Sequence, residues 1–408
     1  MRLALLRLLL LAIGFATLSG ADWLHFRGSD NQAISTSDQA PLALAKDETG
    51  SEQNVAWKTA LPGRGVSSPI LVAGKLIATS SSGFNQDRLH IVSIDAKTGA
   101  LDWERQFWAT GRTMCHPTSS VAANTPSSDG KRIFAMFSSN DVACLDLDGN
   151  LLWYRGLTHD FPTAVNDVGM SASPLVLGDT VVVQVENKGD SFAAGLDIET
   201  GETRWKIPRP AEMNWTSPAV LRGPTRGQDL VLLQSPTRFT AHNPHTGEQV
   251  WSYEVACSAI PSPVADGDTI YLASGGLTAL RYQPSANAAE VVWTQNTLAP
   301  GNPSPVVYKG RVYSINSAGV LLCGDAATGE VKWKLRLKGQ FWATPVVAAE
   351  HLYIFNQDGL AQVVQLGDTS GEIVSRGEFG EPIFGTPVIA DGAIYVRTDG
   401  HLWKIAGH

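Results

Sequence analysis

A turn glycine followed four residues later by a tryptophan recurs through this chain, at Gly99/Trp103, Gly149/Trp153, Gly201/Trp205, Gly247/Trp251 and Gly329/Trp333. No other feature restricts the fold as much. The clearest copy runs from Gly319 to Leu335, where the β-like runs Val320 to Cys323 and Glu330 to Leu335 flank Asp325-Ala-Ala-Thr-Gly329. An Asp there can accept hydrogen bonds from the backbone ahead of it and a Gly can take positive φ, so the unit reads as a hairpin. Val331, Trp333 and Leu335 alternate with Glu330, Lys332 and Lys334, which puts the apolar residues on one face of the second strand. The turns open with Asp95, Asp146, Asp197, Asn243 and Asp325, and threonine precedes the glycine at Thr98, Thr200, Thr246 and Thr328. A weaker copy ends at Trp293 behind Tyr282-Gln-Pro-Ser, and another, around Gly371, has Ser375 where tryptophan is expected.

A second marker precedes each hairpin: Ser or Thr followed by Pro69, Pro126, Pro174, Pro218, Pro263, Pro305, Pro345 and Pro387. Apart from the first two intervals, the spacing holds between 40 and 45 residues, the length of a four-stranded propeller blade. Short strands such as Thr269 to Tyr271, Arg311 to Tyr313 and Ala393 to Tyr395 lie between the markers, the first and last behind the turns Asp266-Gly267 and Asp391-Gly392. After Pro387 there is room for three strands only, ending at His401 to Ile405, whereas Asn54 to Leu61, with Trp57, matches the Trp strand and precedes the first marker. The N-terminal strand therefore completes the last blade. Closure removes the free edges that separate sheets expose, so the overlap predicts an all-β, eight-bladed propeller of four-stranded antiparallel blades. The expected organisation is a signal peptide over 1–21, a polar surface segment over 22–53 and one propeller domain over 54–408. The 39 Gly and 22 Pro supply the many turns this needs.

Asp-x-x-Thr-Gly-x-x-x-Trp with Ser/Thr-Pro inner strands resembles the pyrroloquinoline quinone (PQQ)-like repeat of quinoprotein dehydrogenases and BamB-type assembly proteins, across about residues 54–405. The start, Asp22-Trp-Leu-His-Phe-Arg-Gly28, also resembles the opening of secreted bacterial propellers of that family. The resemblance implies that the repeated tryptophans dock between blades, a structural role for Trp57, Trp103, Trp153, Trp205, Trp251, Trp293 and Trp333. It speaks to fold more than to activity.

Arg2 and Arg7, the apolar run Leu8 to Leu18 and Ser19-Gly20-Ala21 give the tripartite pattern of an export signal. The expectation is a secreted or periplasmic protein without a transmembrane anchor after cleavage. The first cysteine is Cys115, so no lipid-anchor cysteine follows the signal. Cys115, Cys144, Cys257 and Cys323 are widely and irregularly spaced, and four buried free thiols are expected. A net charge of −8 gives no basic footprint for nucleic acid or an anionic membrane. A monomer is expected.

Loops entering the innermost strands of a propeller ring one mouth of its channel. The residues just before each Ser/Thr-Pro are Arg64; Arg112, Met114 and His116; Asn166 and Asp167; Asn214 and Trp215; Ile260; Asn302; Phe341 and Trp342; Ile383 and Phe384. From these, Arg64, Arg112, His116, Asn214, Trp215, Asn302, Trp342 and Phe384 form the predicted ligand-binding collar. Aromatic faces beside Arg, Asn and His suit a flat ligand, a sugar or a peptide. Trp215 and Trp342 are the stacking candidates. His116 is the side chain best suited to proton transfer, yet no carboxylate partner is visible in sequence, and no catalytic residue is assigned.

No Cys-x-x-Cys, His-Glu-x-x-His, calcium-loop, Gly-x-Ser-x-Gly, phosphate-loop or dinucleotide motif is present, so no metal ligand and no resident cofactor are expected. Two functions follow. One is an exported, non-catalytic propeller holding an envelope partner protein or small ligand at one mouth. The other is an envelope enzyme acting on alcohol or sugar substrates, either a PQQ-dependent dehydrogenase, which the resemblance alone implies, or an enzyme of another kind. The PQQ-dependent enzymes use an adjacent Cys-Cys ring, a Trp floor and calcium held by Glu, Asn and Asp, and this chain has no adjacent cysteine pair.

Overall fold

The structure, a computed structural model, describes residues 22–407 apart from 38, 166–167 and 226. The signal peptide predicted over 1–21, and Asn166 and Asp167 beside the collar, lie outside the described residues.

Among the described residues the strands form eight antiparallel sheets, each with four blade strands that are consecutive in sequence except in the closing blade, and blade 7 carries two further N-terminal strands at its edge; innermost strands of successive blades are in contact. This is the predicted eight-bladed propeller. Innermost strands such as Val346–Ala348 and Val388–Ala390 are short and buried throughout, because both faces meet neighbouring blades. Outermost strands such as Val55–Ala60 alternate between half-buried and exposed positions, one face against the next blade and one in solvent.

The ring closes between the chain ends. Val55–Ala60 pairs with His401–Ala406, with Trp57 opposite Lys404 and Ala60 opposite His401. In every blade the register slips by one residue at the Trp position, as between Cys323/Gly324 opposite Trp333, and between Val363/Val364 opposite Ser375. A bulge there kinks the outer strand and turns the following side chain toward the next blade.

That side chain finds a glycine. Trp103 packs on Gly149, Trp153 on Gly201, Trp205 on Gly247 and Trp293 on Gly329, each so close that a Cβ on the glycine would stand 2.6 to 2.7 Å from the indole. The indole Nε1 then donates to the turn carbonyl of the next blade, Trp103 to Leu147, Trp153 to Ile198 and Trp333 to Gly367, at 2.9 to 3.2 Å. Sequence and structure meet at two exceptions. Blade 5 turns through Tyr282 and Pro284 with no glycine, and there Trp251 lies against the Tyr282 ring instead. Blade 7 has Ser375 and faces blade 8, where chain termini replace the turn.

The segment 22–53 departs from the expected surface location. Trp23 pairs with Leu71 of blade 1, Arg27 reaches Pro263 of blade 5, and Ile34 pairs with Val347 of blade 7, so residues 23–35 cross one end of the channel. Trp23, His25, Arg27, Asn31 and Ala33 are buried there. Farther on, Ala45–Lys46 and Glu52–Gln53 add two strands to the outer edge of blade 7, and Leu44 is buried against the blade that lacks the tryptophan. The segment is polar because its polar groups are spent on backbone carbonyls: Gln32 donates to Ala265 O and Ser35 to Ile389 O.

All four cysteines are free; Cys144 and Cys323 are buried, whereas Cys115 and Cys257, expected to be buried, are half-buried. No helix among the described residues is long and apolar enough to cross a membrane.

Candidate functional site

A cavity of about 510 Å³ occupies the channel, open at one mouth and floored by Phe26 of the crossing segment. Its wall is two stacked rings. The lower ring is the marker itself: Ser68, Thr125, Ser173, Ser217, Ser262, Ser304, Thr344 and Thr386 all line it. These residues are joined round the channel. The N–H of Ser68 donates to the Thr125 hydroxyl, Thr125 N–H to Ser173, Ser173 N–H to Ser217, and Ser217 N–H to Ser262, at 2.9 to 3.1 Å. The chain of bonds continues through Ser304 and Thr344 to Thr386. Among the described residues no bond links Thr386 N–H back to Ser68, so the belt is open at the seam where the ring itself closes. The proline that follows each hydroxyl has no N–H, and its fixed φ leads the chain into the innermost strand.

The upper ring lies two residues earlier, as the period of an extended chain requires. On one side it is large: Trp215, Ile260, Asn302, Trp342 and Phe384. On the other it is small: Val66, Ala123 and Ser171, and here His116, Thr118 and Ser119 from the long loop between blades 1 and 2 cover the gap. Trp342 and Phe384 lie 6.5 Å apart, centroid to centroid, and tilted; Trp215 is fixed by donating from Nε1 to Gly169 O at 2.9 Å.

Of the predicted collar, His116, Trp215, Asn302, Trp342 and Phe384 thus come together. The rest do not line the cavity. Arg64 pairs with Asp399 at 2.9 Å and donates to Pro117 O, at the rim. Arg112 reaches the Met114 sulfur outside the lining. Asn214 stands three residues before its marker serine, faces the blade interior and donates to Gln234 O; Phe341 and Ile383, at the same offset, are buried likewise. The offset of two was the signal that separates these sets, and it would also have found Val66, Ala123 and Ser171. Nothing in the sequence pointed to Phe26.

His116 Nδ1 lies 2.8 Å from the Thr118 hydroxyl, a contact that shapes its own loop, and no carboxylate adjoins it among the described residues. A nucleophile-base-acid order does occur elsewhere. His90 lies with Nε2 2.7 Å from Ser82 Oγ and Nδ1 2.6 Å from Glu104 Oε1. Backbone covers that serine, since a Cβ on Gly63 would stand 2.8 Å from Ser82 Cβ, and none of the three residues lines the cavity. The relay is a polar seam in blade 1.

The sequence model of a family described as outer membrane protein assembly factor BamB matches residues 18–206, 162–275 and 282–366. The chain belongs to this family. Among solved structures, BamB from Moraxella catarrhalis is similar at 18% identity and a TM-score of 0.65, covering 86% of this chain and 97% of that one. A europium-containing methanol dehydrogenase matches at 14% identity and a TM-score of 0.68, covering 93% and 90%. The quinohemoprotein alcohol dehydrogenase of Comamonas testosteroni matches at 14% and 0.70, covering 95% and 81%. No curated protein matches. At these identities the BamB-type family and the dehydrogenases share a fold with this chain, and the site must be read from its own residues.

Those residues do not fit PQQ with calcium. A calcium ion takes six to eight oxygen ligands with carboxylates among them, and no Asp or Glu is among the lining residues described. No group of three His, Cys, Asp or Glu positioned to hold a metal occurs among the described residues.

Proposed function

We propose that this protein is an exported, non-catalytic propeller of the cell envelope that holds a small ligand, or a short element of a partner protein, in the open mouth of its channel. The observation that carries this reading is the two-ring cavity: aromatic walls above, a hydroxyl belt below and a closed floor. Its volume lies within the range of about 300–1,000 Å³ typical of small-molecule sites, and apolar walls with a few convergent polar groups are their usual composition. Trp215, Trp342 and Phe384 supply stacking area, Asn302 and the belt supply directional hydrogen bonds, and His116 stands at the rim. Membership of a family described by an assembly role supports binding over turnover.

Native mass spectrometry of the protein purified from its envelope tests this. A non-covalent adduct that is present in the wild type and absent from Trp215→Ala and Trp342→Ala is the expected result. Substrate turnover by the purified protein that His116→Ala abolishes would overturn it.

A further inference from the structure

The belt spends its acceptors and keeps its donors. Seven of its hydroxyls, Thr125 round to Thr386, accept a backbone N–H from the preceding blade, and among the described residues none of the eight hydroxyls donates a hydrogen bond to protein. Eight O–H groups of cavity-lining residues therefore remain to donate. The chain carries 39 acidic residues, yet none of those described lines this cavity.

Behind the floor sits a charge without a counter-charge. Arg27 is buried; its Nη2 donates to Pro263 O at 2.6 Å and to Asn31 Oδ1 at 3.0 Å, while Nε and Nη1 have no hydrogen-bond partner. No ion pair compensates it among the described residues. Its guanidinium carbon stands 5.2 Å from the centroid of the Phe26 ring, which is the cavity floor. Burial draws the guanidinium down to about 9, so it stays charged at neutral pH. In a low-dielectric interior such a charge is weakly screened and raises the potential of the space above it.

We propose that the cavity takes the oxyanion end, carboxylate or phosphate, of a small amphipathic molecule, with its charged oxygens on the hydroxyl belt above Arg27 and its apolar body against Trp215, Trp342 and Phe384. Arg27 is a positioning residue here: it acts through Phe26 and the belt without touching the ligand. The proposal rests on the reading of the cavity as a ligand site and adds the chemistry of the ligand.

Calorimetric titration of the protein with octanoate, monooctyl phosphate and octan-1-ol, all below micellar concentration, separates charge from chain. At least one of the two anions is expected to bind about tenfold or more tightly than the alcohol, the scale of one charge-assisted hydrogen bond, and comparing the two identifies the head group. Trp342→Ala weakens all three. Arg27→Gln lowers the affinity of the anion and leaves the alcohol unchanged; Arg27→Lys restores it, which a merely structural role of Arg27 would not produce. Equal or tighter binding of octan-1-ol, with the Trp342→Ala loss intact, overturns the anion assignment and leaves the ligand cavity standing. Absence of anion binding at millimolar concentration also overturns it, and the adduct experiment then decides the cavity separately.

Discussion

Trp57 lies flat on Gly99 across the junction where the ring closes: a Cβ on Gly99 would stand 2.6 Å from Trp57 Cδ2. The two residues come from the closing strand of blade 8 and the turn of blade 1, so this contact is the docking unit of the repeat placed on the closing seam. Unlike the intact docking pairs, Trp57 Nε1 has no hydrogen-bond partner; the turn carbonyl of Ala96 accepts instead from Lys404 Nζ at 2.9 Å and from the Tyr395 hydroxyl at 3.5 Å.

Replacing Gly99 by alanine is expected to destabilise the protein by about 2–4 kcal/mol, since the residue must hold φ +76 and the methyl meets the indole. Gly130, at φ +87 with nothing within 4 Å, separates the two costs. Gly130→Ala should cost only the backbone share, about 1–2 kcal/mol. Urea unfolding of the two variants measures the difference; equal losses would mean that the indole yields and the contact is loose.

The same seam is sensitive to acid. Glu381 accepts from Thr398 at 2.6 Å, from Lys58 of the closing strand at 2.9 Å, and lies 2.8 Å from His401 Nδ1. Burial alone would raise its carboxyl, but these partners outweigh it and hold the pKa at about 2, below the ordinary 4.5. A carboxyl depressed in the folded state stabilises above its unfolded pKa and loses that contribution as pH falls from about 4.5 toward 2. Glu381→Gln should therefore be less stable than wild type at pH 6 and show a shallower decline between pH 4.5 and 2. Parallel pH–stability curves for the two proteins would remove Glu381 from the seam's account.

The ring, the blade count and the closing strand were legible because a four-residue offset and a proline marker repeat with the chain's own period. The collar was half legible. Trp215, Trp342 and Phe384 face the cavity and Asn214, Phe341 and Ile383 do not, a difference of one residue in strands whose sides alternate; proximity to the marker alone could not resolve it. The crossing segment was not legible. It carries no period, and it turns by placing Arg27, Asn31 and Ala33 at positive φ, a conformation that composition does not announce for an Arg or an Ala.

The hydroxyl belt makes unequal demands on its members. Ser262 Oγ accepts the buried Ser217 N–H at 2.9 Å, so Ser262→Ala leaves that donor unpaired and should cost about 1–3 kcal/mol. Ser68 occupies the same position at the open end of the belt, and its hydroxyl accepts no neighbour's N–H among the described residues. Ser68→Ala should cost less than about 1 kcal/mol. Thermal unfolding of both, with Ser262→Thr as the variant that keeps the acceptor, checks this; a Ser68→Ala loss as large as that of Ser262→Ala would show the belt to be closed.

Trp205 and Trp251 occupy equivalent positions in successive blades and differ in one bond. Trp205 Nε1 donates to Pro244 O at 2.9 Å, whereas Trp251 Nε1, equally buried, has no partner. The cause lies in the next blade: the hairpin after Trp251 turns at Tyr282 to Asn287 and lacks the glycine turn whose carbonyl serves the indoles of Trp103, Trp153, Trp205, Trp293 and Trp333, so the Trp251 ring stacks on Tyr282 at 6.0 Å instead. Phenylalanine at either position loses similar apolar volume, but at 205 it also strands the Pro244 carbonyl, while at 251 it removes a donor that was already stranded. Trp205→Phe should therefore be more destabilising than Trp251→Phe by about 1–2 kcal/mol, the scale of one buried hydrogen bond. Chemical denaturation of the two single variants measures that gap. Were Trp251→Phe the costlier of the two, its indole nitrogen must have an acceptor, and the blade 4 to blade 5 junction would be an ordinary member of the ring.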